Sequence, residues 1–455
     1  MNFRTITIIF VLFTMGLSVF AAVQPDKGSR SQFLIEETFL ILPQVDYEGA
    51  IYYQEDAPLP HLDFKKVQWK KVIEKRHRAV ILSNQYLQVT VLPEMGRVYS
   101  MVFKPTGNET LWHNDVAVPG GANNETGWWL WLGGIEYTLP RDEHGTTWAL
   151  TWEYRILEDN PIRKSLLVEV TEPGTGLHET IIFRLYPDAS FLETEILIEN
   201  PGSEPVDFAH WVNPMWVPGG KNELTDGTEF IVPTKQILIE KRWQANLGPS
   251  PQPWIDNPLR VIRNWKMGDI MADGLDAGFF GAFAHEENEG VVRIFDPVKN
   301  PGVDIWTYGF RPSNIPMGSG APSKGYVEIW GGTVKHFPNE LGQLEGGAQM
   351  GWTEWIYPFH QTKGLTYANE NAAIHFSRNG EDGGLTLFIC PARSLQEVTV
   401  ELEVRGLDLL HDTVNISPAN PYRKELRRSG DDPLEERSLV LTSAGVVLLR
   451  YQTSE

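Results

Sequence analysis

A chain of 455 residues, 42% hydrophobic, is long enough for two or three domains and apolar enough to give each a core, which argues against wholesale disorder. Its formal net charge of −20 argues against nucleic acid and anionic membrane as partners, because both need a basic face. A single cysteine, Cys390, rules out an internal disulfide, so the fold must be held by its core.

The first 22 residues, MNFRTITIIFVLFTMGLSVFAA, read as a signal peptide. Arg4 supplies the positive start, and residues 6–20 form an apolar run too short for a comfortable membrane span. Small residues follow, so cleavage is expected after Ala21 or Ala22, with a secreted or periplasmic product and no membrane attachment afterwards. Residues 23–78 read as an N-terminal β extension packing on the main domain. Its basic stretch, KKVQWKKVIEKRHR, is interrupted by aromatic and apolar residues and is expected to be a solvated strand face.

Residues 79–366 are expected to form one large β domain. In NQYLQVTVLPEMG, Leu87, Val89 and Val91 fall on one face, with Gln88 and Thr90 on the other. In SFLETEILIEN, Leu192, Ile196 and Ile198 alternate with glutamates. Residues 367–455 repeat the pattern in QEVTVELEVRGLDLL, where Val398, Val400, Leu402 and Val404 share a face, and are expected to form a small C-terminal β-sandwich. Cys390, in TLFICPA, reads as a buried strand residue. Period-two alternation with turn glycines and prolines between runs predicts an all-β chain of stacked antiparallel sheets.

Three stretches carry chemistry. GWWLWLGGIEYTLPRDEHG places Trp128, Trp129 and Trp131 ahead of Glu136, Tyr137 and His144. Aromatic faces with a few placed polar groups suit a sugar, and they equally suit the filling between two sheets. FAHWVNPMWVPGG sets His210 among indoles at a strand end, as either a core histidine or a proton donor. In GYVEIWGG, Tyr326, Glu328 and Trp330 share one strand face. A carboxyl between aromatics is desolvated and suited to general-base work. No zinc, calcium or nucleotide motif is present, and Asp273 and Asp276 read as turn residues, so neither metal nor cofactor is expected.

The stretch from NQYLQVTVLPEMG onward, with Leu92-Pro93, Gly96 and Arg97, resembles the opening strands of galactose mutarotase-like proteins. The match is nearest to an uncharacterised mutarotase-like domain family of bacterial carbohydrate-related proteins. Gly133 to Tyr137, DPVKNPGVDIWTYG and WTEWIYP also fit that family, and the resemblance spans about residues 30–365. It implies a supersandwich of large antiparallel sheets with a sugar on its concave face. It also implies aldose 1-epimerase-type roles: His210 as acid toward the ring oxygen and Glu328 as base toward the anomeric hydroxyl. Asn213 matches a site asparagine; Arg97, Glu136 and His144 would hold hydroxyls, and Trp129 and Trp330 would stack. The chain departs from the epimerases at Leu132, where they carry a histidine before the glycine pair. The partner expected is a mono- or oligosaccharide. The alternatives are a glycoside hydrolase or polysaccharide lyase, the former using Glu136 with Glu328, or a non-catalytic carbohydrate-binding module, which Leu132 favours.

Overall fold

The computed structural model describes residues 33–55, 57–310, 325–336, 340–379, 384–404, 407–426 and 437–453, so the leader read from residues 1–22 lies outside the described residues. Alternating sequence becomes strand. In Leu192–Glu199 the side chains of Leu192, Ile196 and Ile198 are fully buried and the glutamates partly exposed. Leu87–Leu92 differs from the expectation of one wet face, because Thr90 is buried as well as Leu87, Val89 and Val91. That strand lies well inside a sheet and is covered on both sides.

Two large sheets stack face to face. Among the described residues the smaller has eight strands and the larger fourteen. Six consecutive neighbours in the larger sheet are Arg97–Phe103, Ile135–Thr138, Trp211–Trp216, Val327–Gly332, Gly302–Gly309 and Lys266–Ala272. Their inner faces meet the eight-stranded sheet in one core, where Val98, Ile135, Val212, Ile329 and Ile305 are buried with Ile181, Phe183 and Ile196 of the opposite sheet. The fold is thus the all-β sandwich that the alternation implied.

The leading segment is less separate than expected. Strand Leu34–Asp46 pairs along its whole length with Gln68–Ser83, which continues into the large sheet. A boundary at residue 78 would cut that strand, so the two long strands of the segment are part of the main sheet, while Ile51–Gln54 and Ala57–Leu62 between them form a two-stranded sheet of their own. Its basic face is solvated: Lys71 pairs with Asp46, and the Arg76 guanidinium lies 3.5 Å over the Phe39 ring.

From residue 367 onward, two four-stranded sheets enclose a second core that includes Val398, Val400, Leu402, Leu439 and Leu441. A third cluster, containing Phe191, Phe279, Phe359 and Cys390, joins the two parts. Burial pushes the Cys390 thiol up to about 12, as suits an inert core residue.

One turn decides how the tryptophan-rich segment meets the sheet. Gly133 and Gly134 have φ of 103° and 86°. A Cβ there would lie 2.2 Å from the Trp112 carbonyl oxygen and 2.3 Å from that of Val98, respectively. Only glycine fits both the conformation and the space. The pair lets strand Trp128–Gly133 pass directly into Ile135–Thr138, which carries Glu136.

Candidate active site

The outer face of the large sheet, turned away from the second sheet, carries a row of polar residues, one per strand. Arg97 leads to Glu136, Glu136 stands opposite Asn213, and Asn213 reaches Glu328 on the next strand. Parity explains the row: Tyr137, one residue from Glu136, points inward against Phe183. The Arg97 guanidinium donates to Glu136 Oε1 at 2.6 Å and to the Gly133 carbonyl at 3.0 Å. Glu136 Oε2 is 2.8 Å from His144 Nδ1. Burial works against ionisation of Glu136, but the Arg97 charge and then His144 outweigh it, and its carboxyl sits below the usual range. For His144, burial opposes protonation, and Glu136 outweighs it to hold the imidazole above its ordinary value. The backbone of His144 is itself unusual, with φ of 64°, and its ring lies flat on Trp129 at 3.8 Å between centroids. A non-glycine residue held in the left-handed region marks a position where the surroundings dictate the conformation.

Glu328 is 3% exposed and is held by three donors. Tyr326 donates to Oε1 at 2.8 Å; Trp330 Nε1 and Asn213 Nδ2 donate to Oε2 at 2.9 and 3.0 Å. Tyr326 in turn accepts from Trp131 Nε1 at 2.9 Å. A carboxylate offers about four acceptor sites, so one on Oε1 stays open to a ligand. Burial pushes Glu328 up to about 7, against the pull of His144 and the Tyr326 hydrogen bond.

These groups line a cavity of about 250 Å³. Glu328, His144, Trp129 and Trp330 of the sequence-derived set face it. Arg97, Glu136 and Asn213 stand behind its wall and hold the groups that face it. Other lining residues were not foreseen, among them Arg242, Asp269, Asp304, Trp306 and Tyr308. Three of them alternate in VDIWTYG, the same i, i+2 signal that singled out Tyr326, Glu328 and Trp330. Asp304 is 3% exposed, and its Oδ1 has no hydrogen-bond partner among the described residues. Burial, then the neighbouring Asp269, push its carboxyl well above the usual range. Burial and Glu240 likewise push Asp269 to about 6, while Trp243 Nε1 donates to its Oδ2 at 2.8 Å. Among the described residues no group of three or more His, Cys, Asp and Glu side chains is placed to hold a metal ion.

His210 does not join them. It is fully buried on the inner side of the sheet, its Nε2 2.8 Å from Glu179 Oε1 on the opposite sheet and its ring edge-on to Trp352. The pairing of His210 with Glu328 across one hollow is therefore corrected. Trp211 and Asn213 take the outer face, and the one-residue offset sends His210 to the other. His210→Phe strands a buried Glu179 oxygen and is expected to cost about 1–3 kcal/mol. Denaturant unfolding should show that loss, while ligand affinity of the folded protein stays unchanged. A large loss of affinity at full stability would return His210 to the site.

Over 72% of this chain and 56% of the other, the fold matches a TPR-domain containing protein from Parabacteroides distasonis at 20% identity and a TM-score of 0.59. The chain thus spans little more than half of that protein. Other structural neighbours are a galactose mutarotase related enzyme from Lactobacillus acidophilus (12% identity, 64% of this chain and 100% of that one, TM-score 0.45) and a galactose mutarotase-like protein from Clostridium acetobutylicum (11%, 64% and 97%, 0.43). Residues 367–451 match the second domain of YphG-like proteins. Residues 55–348, well over half of the chain, match the family described as domain of unknown function DUF5107, and the chain belongs to that family.

Proposed function

We propose that the protein is exported and binds a sugar in the cavity at Glu328, where it interconverts the anomers of a reducing sugar. The observation that carries this reading is the pairing of opposite proton demands in one cavity. Glu328 is poised near neutrality, and His144 is biased toward the imidazolium by Glu136. In the forward step Glu328 takes the proton of the anomeric hydroxyl, and His144, through Nε2–H, gives a proton to the ring oxygen. The bond from the anomeric carbon to the ring oxygen breaks and leaves an open-chain aldehyde. Rotation and reversal close the ring on the other face, and both residues regain their starting protonation. Trp129 and Trp330 supply apolar walls for the C–H faces of the ring. His144 thus takes the part that the family resemblance assigned to His210.

Exchange NMR on freshly dissolved hexoses, pentoses and uronic acids tests this. At least one should equilibrate faster with the protein than in buffer, and a panel with no acceleration would remove the epimerase reading. Glycoside hydrolysis is the second reading, favoured by a second carboxyl in the same cavity, Asp304, which burial biases toward its protonated form. Glu136, the partner first considered for it, is committed to Arg97 and His144. Release of new reducing ends from oligosaccharides would select hydrolysis.

A further inference from the structure

A second cavity, of about 230 Å³, adjoins the first. Trp129, Tyr308 and Gly121 wall both. The rest of its lining is aromatic, Phe64, Trp69 and Trp131, with Pro119 and Gly120. Neither space alone reaches the roughly 300 Å³ at the lower end of small-molecule sites; the two joined do. Phe64 and Trp69 come from the leading segment. Their rings lie nearly parallel, 13° apart with centroids at 6.3 Å, and are half-buried. The turn that presents Phe64 is pinned by Asp63, which accepts from the Lys65 backbone N–H at 3.1 Å and pairs with Lys66. Trp129 can wall both spaces because Gly120 lets its indole lie against the backbone: a Cβ there would be 2.7 Å from Trp129 Nε1.

We infer that the protein acts on the reducing end of an oligosaccharide, with the terminal ring in the Glu328 cavity and the adjacent ring stacked in the Phe64–Trp69 cavity. This rests on the proposed sugar site and names its substrate class. Continuity carries it: the aromatic cavity opens from the walls of the acid–base cavity. Its lining offers ring faces in place of charge, which suits the C–H face of a second pyranose more than an ionic group.

Calorimetry with matched pairs tests it, using glucose with maltose and cellobiose, xylose with xylobiose, and galactose and mannose with their β-1,4 dimers. For the sugar that binds, the disaccharide should bind at least about tenfold tighter than the monosaccharide, the gain from stacking one more ring. Trp69→Ala should erase that gain and leave monosaccharide affinity within about twofold. Phe64→Ala provides an independent test, because Phe64 lines the second cavity and not the first, and its ring lies nearly parallel to that of Trp69. It too should remove the disaccharide advantage alone. Equal affinities for the two members of a pair, or equal weakening of both by Trp69→Ala at unchanged melting temperature, would overturn the two-ring inference and leave the sugar site standing. Binding of no sugar at all would overturn both.

Discussion

Glu328→Gln should reduce anomerisation about 10²–10⁴-fold, the range for loss of a positioned general base, while the protein still folds. The amide keeps the shape, its oxygen accepting from Trp330 and Asn213 and its nitrogen donating to the Tyr326 hydroxyl, but it cannot take a proton. In the unsubstituted protein the rate should rise with pH through about 7, where Glu328 ionises. An upper limb follows where His144, displaced upward from an ordinary imidazole, loses its proton. Stability should run the other way. The folded pKa of Glu328 lies above the ordinary glutamate value of about 4.5, so the protonated carboxyl is favoured on folding. Its stabilising contribution is complete below about 4.5 and is lost as pH rises through about 7. Relative to Glu328→Gln, the melting temperature of the unsubstituted protein should therefore fall between pH 5 and pH 8. A flat rate profile across that window, or full turnover by the glutamine variant, would remove Glu328 as the base.

Arg97→Met should be the most destabilising single change in the site, by about 3–5 kcal/mol. Arg97 and Glu136 are 1% and 2% exposed, and removing the guanidinium leaves a buried carboxylate facing only His144. The Gly133 carbonyl loses its donor as well. Adding Glu136→Gln should restore part of the stability, because the uncompensated charge disappears; the two changes share one interaction and should be non-additive. The double variant should still lose turnover, since His144 no longer has the carboxylate that keeps it protonated. Chemical denaturation measures the first effect and exchange NMR the second. A loss below about 1 kcal/mol for Arg97→Met would show that the pair is not the buried anchor described.

Much of the fold can be read locally, because strand alternation is a property of neighbouring residues. Leu192, Ile196 and Ile198, or Val398, Val400 and Leu402, declare their buried face without help from the rest of the chain. Tyr326, Glu328 and Trp330 declare a shared face in the same way, and the structure joins them by hydrogen bonds. Local pattern fails where both faces of a strand are buried. Every residue of Trp211–Trp216 is buried, so hydropathy offers no contrast to tell the cavity side from the core side, and His210 could be placed on either. Its partner Glu179 lies on the other sheet, a pairing that no spacing announces. Asp269 and Asp304 reach the cavity only because Lys266–Ala272, Gly302–Gly309 and Val327–Gly332 are neighbours in one sheet. Trp69 enters because Gln68–Ser83 belongs to that sheet as well, and Phe64 from the turn just before that strand. Alternation along a strand depends on adjacent residues, whereas the choice of which face lines a cavity depends on strand pairings between distant parts of the chain.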